Sequence, residues 1–198
     1  MINNLSTQID ESIKTKKSLL KLSKDIEKII KIIYKKINSQ GKILICGNGG
    51  SAADAQHLVA EFVVRLRPHI NRNPIAAMSL VGDTSTITAC GNDFGYEKLY
   101  ERMITSLGKE GDCLIGITTS GNSENIILAM RAAKKMGINV FGFLGSGGGD
   151  VLELCDENFL VPSNDTGRIQ EAHITAGHAL MEYVEDKLLE CEYLHLQG

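Results

Sequence analysis

With 198 residues, 24 acidic against 21 basic side chains and a net charge of −3, the chain lacks the basic surface that nucleic-acid binding requires. No apolar run reaches the ~20 residues that cross a membrane. Hydrophobic residues at 43% and charged ones at 23% mark an ordinary globular chain, long enough to bury a core as one domain over residues 1–198.

Apolar residues at Leu5, Ile9, Ile13, Leu19, Leu20, Ile26, Ile29, Ile30, Ile33 and Ile37 keep close to helical period. They predict one long helix or two in succession, stopped at residues 38–41. Lysines interleaved with them, from Lys14 to Lys36, are read as a solvated helix face. Five strands are then predicted, at 42–46, 75–80, 113–118, 139–144 and 158–161. Helices are predicted between them at 51–66, at 84–107 with a break near 91–95, at 123–136, and briefly at 151–154. A final helix runs from about Thr166 to Leu194. Strands alternating with helices place the chain in the α/β class, a parallel sheet covered on both faces. Continuous apolar runs such as ILIC and LIGI fit strands buried on both sides. The five cysteines, Cys46, Cys90, Cys113, Cys155 and Cys191, include no close pair, which argues for a reducing compartment. Because the N-terminus is polar and has no signal-peptide core, a cytoplasmic location is expected.

An open parallel sheet binds its ligand at the carboxyl ends of its strands, near the point where strand order reverses. Two loops stand at such ends. Gly47-Asn48-Gly49-Gly50-Ser51 follows the first strand, and Thr118-Thr119-Ser120-Gly121-Asn122-Ser123 follows the third. Each leads into a helix, where backbone N–H groups and the positive end of the helix dipole favour an anion. Ser51 and Ser123 would also serve as plain helix N-caps with no ligand at all. The first loop partly imitates a dinucleotide fingerprint, but the acidic residue that motif wants about 20 positions later is missing. Arg65–Arg67 stands there instead, and no Gly-Lys-Ser/Thr is present. A smaller phosphate, held by hydroxyls and backbone, fits better.

His57 and Glu61, four apart on the helix opened by the first loop, share a face and suit half a metal site or a general base. A solvated polar pair is the plainer meaning of that spacing. The last helix carries Gln170, Glu171, His173 and His178; in its apolar setting His178 reads first as a core histidine. Gln170 and His178 are separated by a rise of ~12 Å on a straight helix. If both serve one ion, they come from different subunits or the helix bends. Asn92 and Asp93, at a helix break, suit sugar hydroxyls or a local turn.

Gly47-Asn48-Gly49-Gly50-Ser51, Gly91-Asn92-Asp93-Phe94-Gly95, Thr118-Thr119-Ser120-Gly121-Asn122-Ser123 and Arg168-Ile169-Gln170-Glu171-Ala172-His173 occur in this order. Together they closely resemble the sedoheptulose 7-phosphate isomerases (phosphoheptose isomerases) of the sugar isomerase, or SIS, fold, over nearly the whole chain. The resemblance implies a three-layer αβα sandwich with a flavodoxin-like five-stranded parallel sheet. It also implies an N-terminal helical extension (1–40) used in oligomer packing, a homotetramer with active sites at subunit interfaces, and one zinc ion per site. Asn48, Gly49, Gly50, Asn92, Asp93, Thr118, Thr119, Ser120 and Ser123 match the family's substrate-binding positions. Ser51 and Arg65 resemble further phosphate neighbours. Glu61 and Gln170 match positions touching both substrate and metal, and His57 and His178 the remaining metal ligands. Where the family often has Ser-Thr-Ser this chain has Thr-Thr-Ser, which keeps the hydroxyl.

The implied reaction converts sedoheptulose 7-phosphate to D-glycero-D-manno-heptose 7-phosphate through an enediol, the first step towards ADP- or GDP-heptose for lipopolysaccharide or capsule. Glu61 is expected to shuttle the proton, with His178 as acid–base group or zinc ligand. A non-catalytic SIS scaffold that binds the replication initiator, or an isomerase of another sugar phosphate, are the competing readings. The joint presence of His57, Glu61, Gln170 and His178 favours the enzyme.

Overall fold

The computed structural model describes residues 4–196. Helix α1 (Leu5–Ser18) starts where the Asn4 side chain accepts the Thr7 N–H at 3.0 Å, and it buries none of its residues. A tighter 3₁₀ turn over Leu19–Leu22 separates it from α2 (Ser23–Asn38). The periodic stretch is therefore two helices, and only the second is core: Ile29, Ile30, Ile33 and Ile37 are buried at helical spacing.

The rest alternates as expected. It runs β1 (Ile43–Gly47), α3 (Gly50–Val63), β2 (Ala77–Ser79), α4 (Thr84–Asp93), α5 (Leu99–Leu107), β3 (Cys113–Thr118), α6 (Glu124–Lys135), β4 (Asn139–Leu144), β5 (Glu157–Leu160) and α7 (Thr166–Glu190). All strand pairs are parallel, in the order β2-β1-β3-β4-β5, with Ile43 opposite Cys113 and Thr118 opposite Leu144. That is the flavodoxin-like arrangement, and strand order reverses between β1 and β3.

Side chains alternate across the sheet and feed two cores. Ile43, Ile45, Cys113, Ile115, Ile117, Phe141 and Phe143 face α2, α3 and α7. Leu44, Cys46, Leu114, Val140 and Leu144 face α5 and α6. Every residue of β1 and β3 is buried, which is why those strands read as unbroken apolar runs.

The differences from expectation sit at element ends. Only Ala77–Ser79 pairs with β1, while Ile75 and Leu80 at the ends of the predicted strand are buried as anchors. The stretch 84–107 breaks into α4, a 3₁₀ turn at Tyr96–Lys98 and α5, with Gly95 at φ 89° between them. The short element predicted at 151–154 is a 3₁₀ turn over Gly149–Leu154. Helix α3 stops at Val63 and α7 at Glu190, each short of its predicted end. Among the described residues no helix is long and apolar enough to cross a membrane.

Candidate active site

Both loops lie at the β1/β3 switch point, where the fold predicts a ligand. The end of β1 is pinned from below: the Tyr100 hydroxyl donates to the Gly47 carbonyl, and burial pushes its pKa up, so it stays a donor. Gly49, at φ 56°, is the N-cap of α3, so the helix begins earlier than predicted. Ser51 is consequently not the cap but a buried residue of the first turn. Ser123 is the N-cap of α6, yet its side chain caps nothing; its hydroxyl lies 3.4 Å from that of Thr118. Thr118 is itself buried, and its Oγ1 accepts the Gly121 N–H at 3.1 Å. The second loop leans on the glycine run after β4, through Val151 N–H to the Gly121 carbonyl at 3.1 Å and Asp150 N–H to Asn122 Oδ1 at 3.0 Å.

A cleft of about 290 Å³ opens between the loops, lined by residues 48–51, Thr118, Thr119, Ser123, Thr166 and Gln170. No lysine or arginine lines it. An anion there would be met by hydroxyls, amides and backbone, as the loop sequences imply. Two residues that the sequence reading missed join the loops. Asn125 and Asn48 exchange reciprocal amide hydrogen bonds, both 2.9 Å, and the Tyr96 hydroxyl donates to Asn48 Oδ1 at 2.9 Å. Asn125, buried in the first turn of an apolar helix, had one signal: a polar residue inside that pattern.

Helices α3 and α7 run side by side away from this cleft. At their start, a Cβ on Gly50 would come within 2.5 Å of the Gln170 amide, so glycine there lets Gln170 lie against the first loop. About two turns further along α3, Leu58 packs where any Cβ on Gly177 would be, at 2.6 Å. That close approach carries the next pair of side chains into contact. His57 Nε2 and His178 Nε2 stand 2.9 Å apart, with Glu61 Oε1 3.6 Å from His57 Nε2. A contact of that kind needs one ring to donate and the other to accept, so protonating both breaks it. Asp54, also missed by the sequence reading, lies one turn before His57. Burial holds its carboxyl above the ordinary range, while His57 and His178 pull it down; its Oδ2 is buried with no hydrogen-bond partner.

His178 is half-buried beside His57, not a core histidine. The core histidine is His173, whose Nε2–H donates to the Leu144 carbonyl at 3.1 Å while Nδ1 is buried without a partner. Burial lowers its pKa to about 4, so it is neutral.

Of the remaining predicted residues only Thr119 lines the cleft, while Ser120, Asn92, Asp93 and Arg65 do not. Thr119 is half-buried at its rim, and the Ser120 hydroxyl accepts the Asn122 N–H at 3.2 Å. Asn92 and Asp93 end α4, exposed and bonded to each other at 2.8 Å; this segment reaches the first loop through Tyr96. Arg65 is exposed in the connection beyond α3, whose length sets it about 20 Å from Gly49.

For a metal, the donors are of the right kind: two imidazoles and a carboxylate make a familiar zinc set. Their spacing falls short of a site, because among the described residues no three His, Cys, Asp or Glu side chains are grouped to hold an ion. Gln170 is engaged at Gly50, away from His178, as the rise of the helix requires.

The SIS-domain family model matches residues 9–145. A phosphoheptose isomerase from Clostridium acetobutylicum is 47% identical over 191 residues, covering 95% of this chain and 96% of that one. The structure of phosphoheptose isomerase GmhA from Neisseria gonorrhoeae superimposes with a TM-score of 0.86 at 37% identity, covering 92% of this chain and 97% of that one. A phosphoheptose isomerase from Francisella tularensis gives a TM-score of 0.88 at 32% identity, covering 92% and 96%. With the anion cleft at the switch point and the histidine–glutamate cluster beside it, these likenesses show that the chain belongs to the phosphoheptose isomerases of the SIS-domain family.

Proposed function

We propose that this isomerase takes sedoheptulose 7-phosphate, holds its phosphate in the cleft between the two loops, and moves a proton between C1 and C2 at the His57–Glu61–His178 cluster. One observation carries the reading: the cleft and the cluster lie along the same two helices, roughly 12 Å apart from Gly49 to His57. The substrate has its phosphate at C7 and its reacting carbons at the other end. A site with the anion cradle at one end and acid–base groups at the other suits that separation.

Glu61 takes the C1 proton and returns it to C2, so the enediol forms and collapses at one carboxylate. His178 moves the proton between O1 and O2, with His57 fixing its ring. Gly49, Gly50, Ser51, Thr118, Thr119, Ser120 and Ser123 receive the phosphate and neighbouring hydroxyls through N–H and O–H donors. His57, Glu61 and His178 are the donors that would hold zinc once assembly draws them closer than they stand in the single chain, with Gln170 joining them only from another chain or a bent helix. An ion held there would supply Lewis-acid polarisation of the reacting carbonyl.

A homotetramer with shared sites is part of the proposal. Helix α1 has no buried residue and exposes Leu5, Ile9 and Ile13, an apolar stripe suited to a partner. The His57 side chain is 47% exposed, Arg65 is remote from its own cleft, and Asn92 and Asp93 are exposed. All of them become usable if a neighbouring chain closes the site. The protein would work in the cytoplasm, supplying heptose for surface polysaccharide.

The test is an assay with sedoheptulose 7-phosphate, with and without chelator, following product by NMR. Glu61→Gln should lower kcat by roughly 10³-fold, the scale of a lost general base, while substrate binding stays measurable by calorimetry. Product from the Gln variant at the native rate would remove Glu61 from its role.

A further inference from the structure

The connection from α3 to β2 carries Arg72, whose side chain is fully buried. Its guanidinium joins the end of α3 to α7. Nη2 donates to the Glu61 carbonyl at 3.0 Å, Nη1 to the Phe62 and Asn73 carbonyls at 3.0 Å each, and Nε to Glu185. The last carbonyls of a helix have no partner within it and carry the negative end of its dipole. Arg72 therefore supplies both the hydrogen bonds and the positive charge that this end calls for.

Its partner belongs to the other helix of the site. Glu185 lies on α7 about two turns beyond His178. It is 0% exposed, and its second oxygen takes Arg67 Nε at 2.6 Å. The chain is thus clamped from Glu61 on α3, through Arg72, to α7 in register with His178. A buried ion pair is weak as a source of stability, because apolar residues of similar volume often serve as well or better. What the planar, five-donor fork provides that an apolar contact does not is direction. The group it directs is the turn that bears Glu61.

We propose that Arg72, held by Glu185, is a positioning residue that sets the Glu61 carboxylate against His57, and so beside the His57–His178 pair; this rests on the catalytic reading above. Removing one partner alone strands a buried charge and tests only folding. The informative variant is Arg72→Met with Glu185→Leu, which removes both charges, with Arg72→Lys beside it, which keeps the charge and loses the fork.

The full chain carrying each variant is measured for cooperative thermal unfolding, for inorganic phosphate binding, and for kcat and KM with sedoheptulose 7-phosphate. The expected result is a folded double variant with native phosphate affinity and KM. Its kcat should fall about tenfold to a hundredfold, the scale of a misplaced catalytic group, with Arg72→Lys between it and the native protein. The imidazole NMR signals of His57 and His178 should shift, and those of His173 should not. A folded double variant with native kcat overturns the proposal, as does a loss in which phosphate binding falls in step with turnover. If the native protein itself makes no product, the catalytic reading has failed instead. The imidazole signals then still judge the clamp, and unchanged signals overturn it.

Discussion

The two edges of one sheet treat their polar groups in opposite ways. At the amino edge, Asp112 is 0% exposed and fully engaged: it accepts the Lys42 and Lys109 backbone N–H groups at 3.0 and 2.9 Å and the Lys42 ammonium at 2.5 Å. Asp156 near by accepts the Val140 N–H at 2.8 Å and Lys134 Nζ at 3.1 Å. At the carboxyl edge, α3 and α6 begin with no side-chain cap, Asp54 has a buried oxygen without a partner, and His57 meets His178 half in solvent. Satisfied buried groups hold a fold together, whereas groups left short of partners mark the place where something else must supply them. The contrast between edges separates structure from function more clearly than the motifs alone.

The largest way to break that contrast after the Glu61 variant is at Asp112. Asp112→Ala strands the Lys42 ammonium and two backbone donors, and should cost roughly 3 kcal/mol of stability, as for a broken buried pair. Denaturant unfolding reads that loss, while kcat/KM per folded molecule should not change. A fall in kcat/KM with stability intact would mean that the amino edge is not merely structural.

A similar cost attaches to His173, through pH. Its folded pKa is depressed to about 4 by burial, so below the unfolded value of about 6.5 the unfolded chain takes up the proton first. Stability is therefore full above that pH and is lost as pH falls towards 4, by about 3 kcal/mol in all. Unfolding curves across this window should show the slope, and His173→Gln should flatten it.

The smallest effect compares two helix starts. Asp165 caps α7 by accepting the Arg168 N–H at 2.9 Å, so Asp165→Ala should cost about 1 kcal/mol of stability. Ser123 caps nothing, so Ser123→Ala should leave stability within about 0.5 kcal/mol. It should instead raise KM several-fold, about 1 kcal/mol for one hydrogen bond to the phosphate. Equal stability losses in the two variants would return Ser123 to a capping role.

How much of this was readable beforehand follows from how local each feature is. The β1 and β3 runs and their loops are contiguous in sequence, and a strand buried on both faces leaves no polar interruption to mislead the eye. Ser51 was misplaced because a glycine at positive φ can open a helix before the first good cap. Histidines 173 and 178 share one apolar stretch, but five residues turn a helix by about 140°, so one faces the sheet and the other faces α3. The Arg72–Glu185 pair spans 113 residues, and Asn48–Asn125 spans 77. No local pattern announces such partners; only the fold brings them together.

The most direct measurement is the conversion of sedoheptulose 7-phosphate in deuterium oxide, with native protein and with Glu61→Gln, read by NMR. An enediol formed at a side-chain base predicts heptose 7-phosphate from the native protein, its C2 hydrogen coming from C1 or, as far as the carboxyl exchanges with solvent, carried as deuterium, and almost none of that product from the variant. Equal product from both proteins would contradict proton transfer through Glu61.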